Sequence, residues 1–164
     1  MKNRQPLSPD RAYERLASQC SKREMCRHDA YERLYRWQVE QDKHDAIVRQ
    51  LVLDGFIDDM RFARAFIEEK MRINGWGQRK VEQELKRRRI DVASVSSFFD
   101  EMDENETLNQ LQKLLESKLC TIRAASDYER NQKLIRYALT RGYLWKDIQR
   151  CMPEGAEYDE PVEE

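Results

Sequence analysis

Between Leu53 and Asp91 the chain reads LDGFIDDMRFARAFIEEKMRINGWGQRKVEQELKRRRID. Apolar residues recur there at three- and four-residue spacing: Phe62, Ala63, Phe66, Ile67 and Met71, then Val81 and Leu85. That spacing puts them on one side of a helix. Gly55, Gly75 and Gly77 interrupt the pattern as helix stops, and Lys86, Arg87, Arg88 and Arg89 form an unbroken basic run. A chain built this way folds into short helices with narrow apolar stripes and heavily charged outer faces. Nothing in the stretch has the arrangement of a catalytic group.

The rest of the 164 residues extends this reading. Charged residues make up 37% and hydrophobic ones 40%, and five glycines and four prolines leave little to interrupt helices, so an all-α protein is expected. Fifteen Phe, Trp and Tyr residues exclude a compositionally disordered chain. No run of 18 apolar residues and no signal-peptide core occurs, so a cytoplasmic protein that does not engage membranes is expected. Cys20, Cys26, Cys120 and Cys151 form no C-x-x-C pair, and Cys20, Cys26 and His28 lack a fourth ligand at zinc spacing. Free thiols and no metal are expected. His28 and His44 read as surface residues.

Helix signals divide the chain finely. Ser8-Pro9 opens a helix over about 9–20. Ser21-Lys22-Arg23-Glu24 reads as a capping box for a helix to about Trp37. Asp42 caps the next helix, carrying Ala46, Ile47, Leu51 and Val52 and closing at Gly55. Asp58 caps a helix over about 59–73, and Asn74-Gly75-Trp76-Gly77 forms a turn before a helix over about 78–89. Asp91 caps a short helix bearing Val95 and Phe99, and a longer one follows at about 104–119. Ser126-Asp127-Tyr128-Glu129 is a second capping box, for a helix that stops at Gly142, and a last helix covers about 145–152.

An internal repeat underlies the series. Val48, Val52, Gly55 and Ile57 correspond to Val81, Leu85, Arg88 and Ile90, and again to Ile135, Leu139, Gly142 and Leu144. The expected organisation is about nine helices in three tandem three-helix units, 9–57, 58–91 and 92–152. A flexible N-terminus, 1–8, and a disordered acidic tail, 153–164, flank them. Units this small complete their cores by stacking, so an elongated, curved array is expected.

Charge is unevenly spread. Residues 1–90 carry 21 Lys and Arg against 15 acids, and residues 91–164 carry 9 against 16. Arg72, Arg79, Lys80 and Lys86 to Arg89 are therefore candidates for contact with phosphate or an acidic protein surface. About four phosphate contacts would give a salt-dependence slope of about −3 to −4. The same bases also suit a solvated face paired with Glu82, Glu84 and Asp91. Trp76 suits either base stacking or a plug between helices. Asp58 and Asp59 read as helix caps and Phe62 as core. Tyr143, Trp145, Lys146 and Arg150 are candidates for extending a binding surface, with packing favoured for Trp145. No nucleotide-binding loop, zinc-protease motif or nucleophile elbow occurs.

Several of these residues together resemble the RecX family, bacterial regulators of the RecA recombinase. They are Gly55-Phe56-Ile57-Asp58-Asp59, Arg61-Phe62-Ala63, Gly75-x-Gly77, Glu84-Leu85 and Ile90. The SKRE box and Arg141-Gly142-Tyr143 fit the outer units. Two positions depart from the family pattern. Gln78 stands where proline is usual, and Arg89 stands where glycine is usual, which removes a helix stop. The resemblance implies a monomer without catalytic activity or cofactor that binds the groove of the RecA–DNA filament. It also implies contact with DNA directly or through RecA, and control of ATP hydrolysis, strand exchange and filament stability, with ATP belonging to the partner. A stand-alone helical DNA-binding module and a helical-repeat adaptor are the competing readings.

Overall fold

The structure is a computed structural model that describes residues 5–162. The first four and last two residues of the expected terminal segments lie outside it. Among the described residues there are nine α-helices and no strands: α1 (Pro9–Cys20), α2 (Arg27–Arg36), α3 (Gln41–Leu53), α4 (Asp59–Glu68), α5 (Gln78–Arg87), α6 (Val92–Asp100), α7 (Glu104–Leu119), α8 (Asp127–Thr140) and α9 (Trp145–Cys151). The protein is all-α, as expected. It forms two compact units: residues up to Phe66 with Lys86–Asp91, and Ile67–Leu85 with Val92 onward.

In the first unit α3 packs against α1 and α2. Ala12, Leu16, Leu34 and Leu51 are fully buried at its centre, with Ile57 closing one end. Burying a leucine contributes about 1.5–3 kcal/mol, so such a stripe can hold otherwise charged helices together. Leu7, in the N-terminal segment expected to be flexible, lies against this core and its N–H donates to the Trp37 carbonyl.

Several local expectations change here. The SKRE box does not open a helix. Ser21 follows the end of α1, its hydroxyl donating to the Ala17 carbonyl, and α2 begins later, after Cys26. Glu24 instead accepts from the Arg61 guanidinium. Asp42 lies inside the first turn of α3, whose preceding residue is Glu40, and Ala46 is exposed while Val48 is buried. His44 is buried, not at the surface, with Nε2 2.9 Å from the Val39 carbonyl, and His28 is half-buried.

In the second unit α7 packs on α8 and α9 around Leu111, Ile135, Ala138, Tyr143 and Ile148. The second capping box holds: the Glu129 N–H donates to Ser126 Oγ at 3.1 Å, and the Glu129 carboxylate reaches back to the Ala125 N–H. Residues beyond Pro153, expected to be disordered, lie along this unit. Tyr158 meets Trp145 edge to face at 5.7 Å, the Asn131 side chain donates to the Glu157 carbonyl, and Tyr128 bonds to Asp159. Tyr158 and Ala156 supply the apolar area that the acidic count concealed.

α4 does not run evenly to residue 73. After Glu68 one wide turn, Glu69–Ile73, follows, in which the Asn74 N–H reaches back five residues to Glu69. The extra residue rotates the helix face. Met71 stays buried while Ile73 is 81% exposed.

Helix ends set the register of the repeat. Gly55, Arg89 and Gly142 all take left-handed backbone, at φ 78°, 58° and 89°. Four residues before each lies a fully buried side chain: Leu51, Leu85 and Ala138. Eight residues before each, Ile47, Val81 and Leu134 are also buried. Arg89, not Arg88, therefore corresponds to Gly55 and Gly142, a one-residue correction. The helix stop expected to be lost without glycine is kept: α5 ends at Arg87, and the Arg89 N–H donates to the Lys86 carbonyl. Arginine in that conformation costs about 1–2 kcal/mol.

Candidate functional site

The motif around Gly55–Ala63 is built for architecture. Gly55 closes α3 with left-handed backbone, and the Phe56 and Ile57 N–H groups then reach the Leu51 carbonyl. Asp58 caps α4, accepting from the Met60 and Arg61 N–H groups. Asp59, expected to cap the same helix, instead accepts from the Arg27 N–H at 2.8 Å and so caps α2 from outside. Arg61 binds Glu24 and the carbonyls of Gly55 and Phe56. Phe62 is buried and stacks on Phe66 at 5.5 Å.

The G-W-G turn also has a structural task. The Gly77 N–H donates to the Arg141 carbonyl at 2.8 Å, and the Arg79 N–H to the Gly142 carbonyl at 2.9 Å. The Tyr143 hydroxyl donates to the Gly75 carbonyl at 2.9 Å. Tyr143 is 1% exposed, so it is core and not part of a binding surface, and burial raises its phenol pKa. Trp76 is half-buried, with Lys80 over its ring at 4.2 Å and Lys70 at 5.3 Å. A base stacking there would have to displace these cations.

The basic candidates separate by environment. Lys86, Arg87 and Arg89 are exposed. Arg88 is turned inward: its guanidinium lies 5.1 Å from the Phe66 ring and Nε lies 3.5 Å from Asp29, with the side chain 17% exposed. In the second unit Arg79 is exposed, while Arg72 pairs with Glu68 and Glu106. Lys146 is exposed, Arg150 pairs with Glu104, and Trp145 packs on Tyr158. Leu85 is fully buried.

One feature of the first unit was not visible along the chain. A cleft of about 810 Å³ is lined by Arg27, Arg36, Arg88 and Arg89, by Tyr31, Tyr35, His28 and His44, and by Glu32 and Asp59. Its parts come from α2, α3, the start of α4 and, some sixty positions after α2, Arg88 and Arg89, so no local pattern could reveal it. Arg27 pairs with Asp59 and Arg88 with Asp29. Arg36 and Arg89 are exposed at its edge, and Tyr35 is 78% exposed. His28, Asp29 and Glu32 offer ligand atoms within 4.8 Å of one another. The Arg88 guanidinium already engages Asp29, and with Arg27 and Arg36 nearby the field favours an anion over a cation. Cys26, at the start of α2, is fully buried, and burial pushes its thiol up to about 12.

Comparison with known proteins places these features. The profile for the RecX second three-helix domain matches residues 58–95, and that for the RecX third three-helix domain matches 104–152. A regulatory protein RecX of Pelodictyon phaeoclathratiforme is 26% identical over 121 residues, covering 71% of this chain and 74% of the relative. The regulatory protein RecX of Vibrio campbellii is 23% identical over 128 residues, covering 78% and 81%. Against that of Clostridium tetani the chain is 27% identical, covering 59% of this chain and spanning 45% of the relative's length. A crystal structure of regulatory protein RecX superposes with a TM-score of 0.77 at 17% identity, covering 87% of this chain and 70% of that one. RecX from Lactobacillus salivarius gives 0.70 at 17% identity, covering 87% and 93%. Among the described residues, no helix is long and apolar enough to cross a membrane.

Proposed function

Because this chain belongs to the RecX family of regulatory proteins, we propose that it regulates the RecA recombinase by binding the RecA–DNA filament. On this reading it acts as a cytoplasmic monomer without catalytic activity or cofactor of its own. It occupies the filament groove and restrains ATP hydrolysis and strand exchange, or promotes disassembly. The three-helix units 9–57, 58–91 and 92–152 are the pieces that would lie along the groove, and the second and third parallel the two matched family domains.

The observation that carries the proposal is the cationic cleft of the first unit, with Arg36, Arg89 and Tyr35 exposed at its edge. Lys86 and Arg87, also exposed, add to the same charge. Tyrosine and arginine are the side chains that most often anchor a protein interface. The cations would meet acidic protein or DNA phosphate; the capping and packing residues would fix their positions.

Purified protein at stoichiometric excess should lower RecA's DNA-dependent ATPase and strand exchange. Unchanged rates at that excess would sink the proposal. Binding to DNA without RecA, with no effect on RecA, would instead support the stand-alone DNA-binding module.

A further inference from the structure

Residues 91–164 carry a clear acidic excess, yet the turn between α7 and α8 faces a cleft of about 410 Å³ lined by Lys118, Arg123, Lys133 and Arg136 and by no carboxylate residue. We propose that this cleft is a phosphate-binding site, and that its occupant is the backbone of a polynucleotide.

The available chemistry is cationic. Lys133 is partly neutralised, with Nζ 2.7 Å from Glu129 and donating to the Arg123 carbonyl. Lys118 lies 4.8 Å from the centre of the Tyr137 ring, so that ring already has a cation over it and offers little to a stacking base. The hydroxyls of Thr121 and Thr140 donate to the Lys118 and Tyr137 carbonyls, so their protons are taken. Among the described residues Arg123 and Arg136 are exposed and neither side chain has an ion-pair partner. What remains for a ligand is two guanidinium forks and one ammonium.

Guanidinium forks match both phosphate and carboxylate geometry. The surroundings decide between them. Ile122 is the only aliphatic side chain of the lining, and its one aromatic ring, Tyr137, is already covered by Lys118, whereas an acidic protein partner would need an open apolar or aromatic anchor at its centre. Contact with a polynucleotide backbone is polar, strongly cationic and independent of base identity. The pattern was hidden in the sequence because the cations fall in two groups about fifteen residues apart, on either side of the turn.

RecA is left out of the test, so that phosphate contact by this cleft is read apart from any effect on RecA. Binding of a fluorescent oligothymidylate to the full chain is measured by anisotropy from low to moderate salt, beside K118Q/R123Q/R136Q. Three lost phosphate contacts on a single strand flatten the log–log salt dependence by about 2. R136Q, at an exposed position, should flatten it by about 0.7 and guards against misfolding of the triple variant. Binding of inorganic pyrophosphate, read by calorimetry, with no oligonucleotide binding would overturn the polynucleotide assignment in favour of a free phosphate ligand. An unchanged affinity and slope in both variants, or equal competition by polyglutamate, would overturn the proposal.

Discussion

Gly77 and Gly142 meet backbone to backbone. A Cβ added to Gly77 would fall well inside 3.0 Å of the Gly142 carbonyl carbon and the Tyr143 nitrogen, both of them main-chain atoms that cannot rotate away. The hydrogen bond from the Gly77 N–H to Arg141 and that from the Arg79 N–H to Gly142 both depend on this approach. The G-x-G turn is thus required by packing before any role in binding is considered.

Gly77→Ala should therefore destabilise the protein by about 3 kcal/mol, the upper range for overpacking. Gly55→Ala is the control. Its backbone is also left-handed, at φ 78°, but nothing lies within 4 Å of the added carbon, so the loss should be about 1–2 kcal/mol. Denaturant midpoints of the two variants measure the difference, and equal losses would contradict the packing account.

Arg89→Gly should stabilise. The left-handed conformation at φ 58° costs arginine about 1–2 kcal/mol. Glycine releases that cost and gives back about 0.4–1 kcal/mol through a freer unfolded chain. A net gain of about 0.5–1 kcal/mol is expected from urea unfolding. A lower midpoint for the glycine variant would show that the arginine side chain contributes more than its backbone costs.

Cys26 should resist modification. With its thiol pushed up to about 12 by burial, little thiolate forms at neutral pH. At pH 8 a thiol reagent should label exposed Cys120 quickly and Cys26 only on unfolding. The raised value also fixes a sign. Above the ordinary value of 9.0 the unfolded thiol loses its proton while the folded one keeps it, up to about 12. The native state then holds more protons, so this contribution to stability is full below pH 9 and lost as pH rises from 9 toward 12. Cys26→Ala should lessen the alkaline loss seen in pH-dependent unfolding.

The all-α class and most helix boundaries were legible because apolar spacing and glycine stops are local signals. The SKRE box misled because Ser21 can use its hydroxyl two ways. Cap and i−4 back-bond draw on the same residue type, and the Ala17 carbonyl was the partner formed. Arg89 misled because glycine's preference for left-handed backbone is energetic, not absolute: the buried Leu85 and Ile90 on either side hold the turn in place. Asp59 and Arg61 were recognised as motif residues, but their partners Arg27 and Glu24 lie far off in sequence, so their tasks became visible only in the fold. Both cationic clefts escaped the reading for the same reason.

The run Lys86–Arg89 should split when its members are changed separately. Arg88 is covered by Phe62 and Phe66 and faces Asp29. Arg88→Ala removes a partly desolvated cation–π contact of about 1–2 kcal/mol and leaves Asp29 less well paired, so it should lower stability by about 2 kcal/mol. Lys86, Arg87 and Arg89 project into solvent, and K86Q/R87Q/R89Q should stay within about 0.5 kcal/mol of the parent. That triple variant should nevertheless lose most of its effect on RecA's ATPase, with the loss largest at low salt, where exposed charges act furthest. If K86Q/R87Q/R89Q restrained RecA as strongly as the parent, the filament contact would lie elsewhere. Equal destabilisation by both variants would show that the four bases form one structural face, and that the inward position of Arg88 does not distinguish it.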